Sequence, residues 1–236
     1  MKKFAAFDID GTLIRWQLYH AVVDKLAKKN LLGDSAQQQL HQARMIWKRR
    51  EHPEAFRDYE LSLIDIFEAA FGELKTKDFD DTIKEVIDEF ADQTHVYTRD
   101  LIKKLKQEDY FLLAISGSHQ ELVKPIAERY GFDDWQGSTY QRQGEHFAGQ
   151  PYVASHHKQE ILQALISKHG LSLVDSLAIG DSASDAAMLK MVEQPIAFNP
   201  DQNLYQIAKD NGWKIVVERK NVIYQLEASD GRYLLA

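Results

Sequence analysis

Five short apolar runs punctuate the chain without the polar alternation of a half-exposed strand: residues 3–7, Phe111–Ile115, Ser176–Ile179, Pro195–Phe198 and Lys214–Val217. Such runs fit strands buried on both faces of a parallel sheet. Helical periodicity separates most of them, as in Lys158–His169, where Ile161, Leu162, Leu165 and Ile166 share a stripe that Gly170 terminates. Strand and helix in alternation predict an α/β core built on a parallel sheet with right-handed crossovers.

Residues 15–94 break that rhythm. They hold no convincing strand and read as four helices. The first carries Leu18, Val22 and Leu26 and stops at Gly33, and the second starts near Ser35. The third begins at Pro53 and runs through Phe56, Tyr59, Leu63, Ile66, Phe67 and Ala70 to Gly72, and the fourth carries Phe79, Ile83, Val86, Ile87 and Phe90. The expected organisation is an α/β catalytic core from residues 1–14 and 95–236, with a helical domain inserted at 15–94. An insertion directly after the first strand reads as a lid on whatever that strand presents. Ser138–Val153, with Gly144 and Gly149 between Tyr140, Phe147 and Tyr152, reads as a β-hairpin at the mouth of the site.

Composition narrows the partners. A chain of 236 residues, 44% hydrophobic and 28% charged, is an ordinary globular sequence with enough length for a large core. Its formal net charge of −7 argues against nucleic acid or an anionic membrane as the main partner, while a small phosphorylated metabolite remains open because a local site can be positive on an acidic protein. Cysteine is absent, which removes disulfides, thiolate zinc sites and cysteine nucleophiles. Met1-Lys2-Lys3 opens like a signal peptide, but Asp8 and Asp10 interrupt the apolar run and no small-residue cleavage site follows. No segment approaches the apolar length of a membrane span, so the expected location is the cytoplasm.

The candidate chemistry lies where the apolar runs end, which is where open α/β sheets bind ligands. The first run ends in Asp8-Ile9-Asp10-Gly11-Thr12. Residues two apart in a strand face the same side at roughly 6.5–7 Å, so two carboxylates there crowd negative charge. That charge needs a proton or a cation, and Mg²⁺ suits a few carboxylates plus a phosphate. A carboxylate nucleophile beside its own acid/base points to phosphoryl transfer. The second run leads into Ser116-Gly117-Ser118, a hydroxyl and free amides read as a helix start facing an anion. Lys158 opens a helix, a position where the dipole disfavours a cation, so something other than helix stability places it there. His156 and His157 beside it read as solvent-exposed, because adjacent histidines point apart and no HExxH spacing exists. The run ending at Ile179 leads into Gly180-Asp181-Ser182-Ala183-Ser184-Asp185, two carboxylates four apart at a strand-to-helix turn, able to serve a metal or a metal with a hydrogen-bond network. Neither a GxxxxGK[ST] nor a GxGxxG motif occurs, which removes P-loop and dinucleotide readings.

In order and spacing, DIDGTL at 8–13, Ser116, Lys158 and GDSASD at 180–185 resemble the haloacid dehalogenase superfamily of phosphatases, across nearly the whole chain. The helical insertion after the first motif resembles the phosphoserine phosphatase-like branch, subfamily IB. The resemblance implies a Rossmann-like core with a helical cap, and a Mg²⁺-dependent phosphomonoesterase acting on a small cytosolic organophosphate through an aspartyl-phosphate. Asp8 would attack phosphorus, and Asp10 would protonate the leaving oxygen and then activate water. Asp8, the Asp10 main-chain carbonyl and Asp181 would hold Mg²⁺. Ser116, the Gly117 amide and Lys158 would bind phosphate oxygens, with Thr12 and Asp185 in support.

Two departures bear on the substrate. Gln17 stands near the position where the phosphoserine enzymes carry a Glu for the amino group, and Leu63 falls at or near the arginine that grips the carboxylate. Leucine cannot replace a bidentate guanidinium, and GDSASD stands in place of GDGxND, so phosphoserine is not expected to be preferred. Arg15, Trp16, Gln17, Arg57 and Tyr59 are the candidates for leaving-group contact. Three other readings stay open: a phosphotransferase to an alcohol, a phosphoserine phosphatase proper, and a catalytically silent regulatory module. Retention of all four polar segments argues against silence. Arg44, Lys48, Arg49 and Arg50 form a basic face, either solvated or partner-binding.

Overall fold

The computed structural model describes residues 2–52, 54–229 and 232–235; Pro53, the expected first residue of the third helix, lies outside them, as does Met1. The chain divides into two compact units, Met1–Trp16 with Phe90–Thr139 and Val153–Ala236, and Gln17–Glu89 with Tyr140–Tyr152. The strands are β1 (Lys2–Phe7), β2 (Phe111–His119), β3 (Asp134–Gln143), β4 (His146–Tyr152), β5 (Leu171–Gly180), β6 (Gln194–Phe198), β7 (Lys214–Arg219), β8 (Val222–Ser229) and β9 (Arg232–Leu235). The helices are α1 (Leu18–Lys28), α2 (Ala36–Arg49), α3 (Ala55–Ala69), α4 (Thr76–Phe90), α5 (Val96–Gln107), α6 (Gln120–Tyr130), α7 (Lys158–His169), α8 (Ala186–Leu189) and α9 (Gln202–Asn211).

The sheet runs β4-β3-β2-β1-β5-β6-β7-β8-β9. From β3 to β7 neighbouring strands are parallel, with Ala6 of β1 opposite Leu113 of β2 and Ala178 of β5. All five apolar runs are strands of this parallel stretch. Phe4–Phe7 of the central β1 are completely buried, as a strand covered on both faces requires. One face packs Phe4, Ala6, Leu113 and Ile115 against Leu162, Met188, Leu189 and Leu204 of α7, α8 and α9.

The antiparallel pairs β7–β8 and β8–β9 extend the sheet beyond the expected strands. The turn into β8 carries no glycine signal, since Lys220 takes the left-handed conformation with φ 55°. From β7, Glu218 accepts the Val96 and Tyr97 amides of α5 at 3.0 and 2.8 Å, so a residue far along the chain caps that helix.

The helical unit contains α1 to α3, most of α4, and the segment Tyr140–Tyr152. That segment was not part of the 15–94 expectation. Ring packing accounts for its place: Phe147 lies 4.9 Å from Phe71 and 5.1 Å from Phe79, and Tyr140 lies 5.9 Å from Phe67, centroid to centroid. Arg142 adds a bidentate pair to Asp80 at 2.8 and 2.7 Å. Arg44 turns away from the basic surface: its guanidinium pairs with Asp24 and donates to the Tyr59 hydroxyl at 3.0 Å. Trp47 stacks on Tyr59 at 5.4 Å. Lys48, Arg49 and Arg50 are exposed. Among the described residues, no helix is long and apolar enough to cross a membrane.

Candidate active site

β1 ends at Phe7, so Asp8-Ile9-Asp10 follows the strand rather than completing it. The Asp8 amide still donates to Ile179 O at 3.0 Å, and Gly11, with φ 77°, turns the chain away. Ser116-Gly117-Ser118 is likewise not a helix start. β2 continues to His119, which pairs with Ser138 of β3, so β3 extends the ladder past the expected boundary. Ser116 and Ser118 therefore stand two apart in a strand and share a side. Both reach Asp10: Ser116 Oγ donates to Oδ2 at 2.5 Å and Ser118 Oγ to Oδ1 at 2.9 Å. Ser118 was not among the candidates, and its signal is the S-x-S spacing, legible once the segment is read as strand.

Lys158, the first residue of α7, is buried and donates to Asp8 Oδ1 at 2.7 Å and to Asp185 Oδ1. The other Asp185 oxygen accepts the Asp181 and Ser182 amides at 3.1 and 3.0 Å and the Ser182 hydroxyl at 3.1 Å. Ser182 and Asp185 thus form a capping box over the turn Ala183–Asp185. Gly180 makes room for this carboxyl, since a Cβ there would lie 2.3 Å from Asp185 Cγ. Asp201 steadies the same loop, accepting the Ala183 amide at 3.1 Å while its own amide donates to Asp181 O at 2.8 Å.

Asp8, Asp181 and Asp185 each offer an oxygen, and these oxygens lie within 4.8 Å of one another. The Asp10 side chain is not one of the three; it faces the two serines. With every group ionised, three carboxylates and one ammonium leave a charge of −2 in a largely buried place. Burial, reinforced by Asp185 and Asp10, pushes Asp8 up to about 7 against the pull of Lys158. Burial and then Asp8 and Asp185 raise Asp181 well above the usual carboxylate range. For Lys158, burial opposes the charge, but Asp185 and Asp8 outweigh it and raise the ammonium's pKa. Asp8 Oδ2 is buried and has no hydrogen-bond partner among the described residues. A hard divalent cation fits this donor set, because it is short of positive charge and carries a buried oxygen with open lone pairs.

Thr12 is buried, its carbonyl accepting Thr98 Oγ1 at 2.9 Å. Ser138, also missed from sequence, is buried; it donates to Gly117 O at 2.6 Å and accepts the Ala154 amide at 3.0 Å, tying the segment before α7 to β2. His156 and His157 are exposed. Arg15 and Trp16 are exposed on the loop after Ile14, where the Arg15 amide donates to Gln93 O at 2.7 Å. Gln17 is half-buried at the start of α1, Arg57 is exposed, Tyr59 is engaged by Arg44, and Leu63 is wholly buried within the helical unit.

A family model described as haloacid dehalogenase-like hydrolase matches residues 5–190, which hold all four polar segments. The chain belongs to the haloacid dehalogenase-like hydrolases. As a member it is an enzyme of hydrolase type, and its parallel sheet with flanking helices is that family's fold. It is 25% identical over 233 residues to a histidinol-phosphatase of Neisseria meningitidis serogroup C (strain 8013), covering 92% of this chain and 99% of that protein. To a phosphoserine phosphatase of Archaeoglobus fulgidus it is 22% identical over 212 residues, covering 88% of this chain but 55% of that longer protein. A solved phospho-aspartyl intermediate analogue of phosphoserine phosphatase superposes with a TM-score of 0.64 at 22% identity, covering 93% of this haloacid dehalogenase-like chain and 94% of its own.

Proposed function

We propose that this hydrolase is a Mg²⁺-dependent phosphomonoesterase that cleaves a small organophosphate through an aspartyl-phosphate on Asp8. The observation that carries the reading is the state of the Asp8 carboxylate: one oxygen held by Lys158, the other buried with no hydrogen-bond partner among the described residues, beside Asp181 and Asp185. A carboxylate fixed at one oxygen and open at the other is oriented to attack. Asp8 forms a bond to phosphorus as the leaving oxygen departs, and Asp10 gives that oxygen a proton. Asp10 then takes a proton from the water that attacks the acyl phosphate, and Asp8 is restored. Lys158, the Ser116 hydroxyl and the Gly117 amide bind phosphoryl oxygens, since phosphoryl transfer depends on positioning and charge neutralisation. Asp8, Asp181 and the Asp10 main-chain carbonyl would hold Mg²⁺, with Asp185 beside them, and the ion would neutralise the phosphate and the crowded carboxylates.

On the substrate, the buried Leu63 offers nothing to a carboxylate and Gln17 carries no charge for an ammonium. Both support a substrate other than phosphoserine. The name of the full-length relative makes histidinol phosphate a natural member of the test panel.

The test is phosphate release from p-nitrophenyl phosphate, phosphoserine, histidinol phosphate and other phosphomonoesters. Chelation should abolish activity and Mg²⁺ restore it. Asp8→Asn should lose turnover by at least about a thousandfold, an amide being a poor nucleophile. Full activity in excess chelator removes the metal from the reading, and more than a few per cent of activity in Asp8→Asn removes the covalent step. Phosphoserine emerging as the best substrate overturns the substrate assignment.

A further inference from the structure

We infer that Ser118 is a positioning residue that keeps Asp10 in place while Ser116 turns its proton to the substrate phosphate. The inference rests on the phosphatase reading above and deepens it. Both serines are buried, and between them they occupy both oxygens of Asp10, Ser116 at Oδ2 (2.5 Å) and Ser118 at Oδ1 (2.9 Å). A hydroxyl has one proton to donate. Ser116 therefore cannot serve Asp10 and a phosphoryl oxygen together. When phosphate arrives and takes the Ser116 proton, the Ser116 contact to Oδ2 is given up and the contact from Ser118 to Oδ1 remains.

The Ser118 amide also donates to Ser116 Oγ at 2.9 Å. This fills an acceptor position on Ser116 and directs its proton outward, so Ser118 orients both the phosphate-binding hydroxyl and the acid/base. The two oxygens of Asp10 then take separate parts. Oδ1 stays an acceptor from Ser118 throughout. Oδ2 carries the proton that passes to the leaving oxygen as the Asp8–phosphorus bond forms, and Oδ2 takes a proton from water as that bond breaks.

Leaving groups differ in how much they need this proton. A nitrophenolate departs with little help, whereas an alkoxide must be protonated, and a positioned general acid is worth roughly 10²–10⁴ in rate. The experiment compares kcat/KM for p-nitrophenyl phosphate with that for the alkyl phosphate the wild type hydrolyses fastest, in wild type, Ser118→Ala, Ser118→Thr and Ser116→Ala, with melting curves to verify folding. Ser118→Ala should lower the alkyl-to-aryl ratio by about tenfold or more, and Ser118→Thr, which keeps the hydroxyl, should recover the ratio to within about threefold. Ser116→Ala should lower both substrates together, since phosphate binding is common to them. If folded Ser118→Ala loses both substrates by one factor, or folded Ser118→Thr leaves the ratio low, Ser118 does not act through Asp10. A wild type inactive on every phosphomonoester instead removes the functional reading, and this assignment with it.

Discussion

In the helical unit Asp24 and Arg44 form a one-to-one ion pair whose guanidinium also reaches the Tyr59 hydroxyl, whereas in the α/β unit the Lys158 ammonium pairs with Asp8 and Asp185 while Asp181 crowds a third carboxylate beside them. The first cluster sums to zero and its members find partners within the cluster. The second sums to −2 with every group ionised and leaves Asp8 Oδ2 without a hydrogen-bond partner among the described residues. Removing charge from water is costly unless it is paired, so a cluster that stays unbalanced is poorly explained by stability. A balanced buried pair can simply hold helices together. An unbalanced one in a family of enzymes is better explained by what it binds.

Among variants that test this contrast, the largest effect should come from deepening the imbalance. Lys158→Met takes the cluster from −2 to −3, and kcat should fall by more than about a hundredfold, the scale of losing one buried donor to a developing anion. The protein should still fold, because carboxyls already pushed upward in pKa can take up protons. A variant retaining most of its turnover would mean that Lys158 balances charge without serving the reaction. The converse substitution, Arg44→Met, strands Asp24 in the helical unit. It should cost about 1–3 kcal/mol in urea unfolding, discounted from the fully buried case because the pair is partly exposed. Turnover per folded molecule should stay within about threefold. A large kcat defect at unchanged stability would break the division between the two clusters.

The smallest effect concerns a titratable group that the fold buries uncharged. His119, at the end of β2, is completely buried, and burial pushes its pKa down to about 3. With its folded pKa below the unfolded value near 6.5, the unfolded chain binds more protons as pH falls. Stability is therefore retained above about pH 6.5 and lost below it, at about 1.4 kcal/mol per pH unit. Between pH 7.5 and 5.5 the wild type should lose about 1.4 kcal/mol that His119→Leu does not lose. Parallel pH profiles in urea denaturation would show that His119 titrates normally.

The strands of the core were legible because burial on both faces leaves unbroken apolar runs such as Phe4–Phe7 and Phe111–Ile115. β8 and β9 were not: Leu226 and Tyr233 pack partly against the core while Ile223 and Leu234 remain exposed, too sparse a contact to imprint an apolar run, and Lys220 occupies a turn position that glycine or asparagine would have signalled. At the site, Asp8 and Asp181 were readable as carboxylates just past strand ends, Ser116 as a hydroxyl after an apolar run and Lys158 as an amine at a helix start. Ser118 was missed because β2 runs four residues further than its apolar run, and pairing with β3 is a tertiary fact. Ser138 and Asp201 act through backbone groups of distant segments, and sequence spacing carries no trace of such contacts. The segment Tyr140–Tyr152 was recognisable as a hairpin, but its membership of the helical unit depends on rings of Phe67, Phe71 and Phe79 far away in the chain.

The carboxylate of Glu218 that caps α5 has a consequence for the order of assembly. It meets Val96 and Tyr97 across sequence separations of 122 and 121 residues. A chain emerging from the ribosome makes α5 long before it makes β7, and through that interval the first amides of the helix are left to water. β1, although synthesised first, likewise waits for β2 and β5 on its two sides. Contacts between such distant segments are closed late and at an entropic cost, so α5 gains its cap only when the last parallel strand docks.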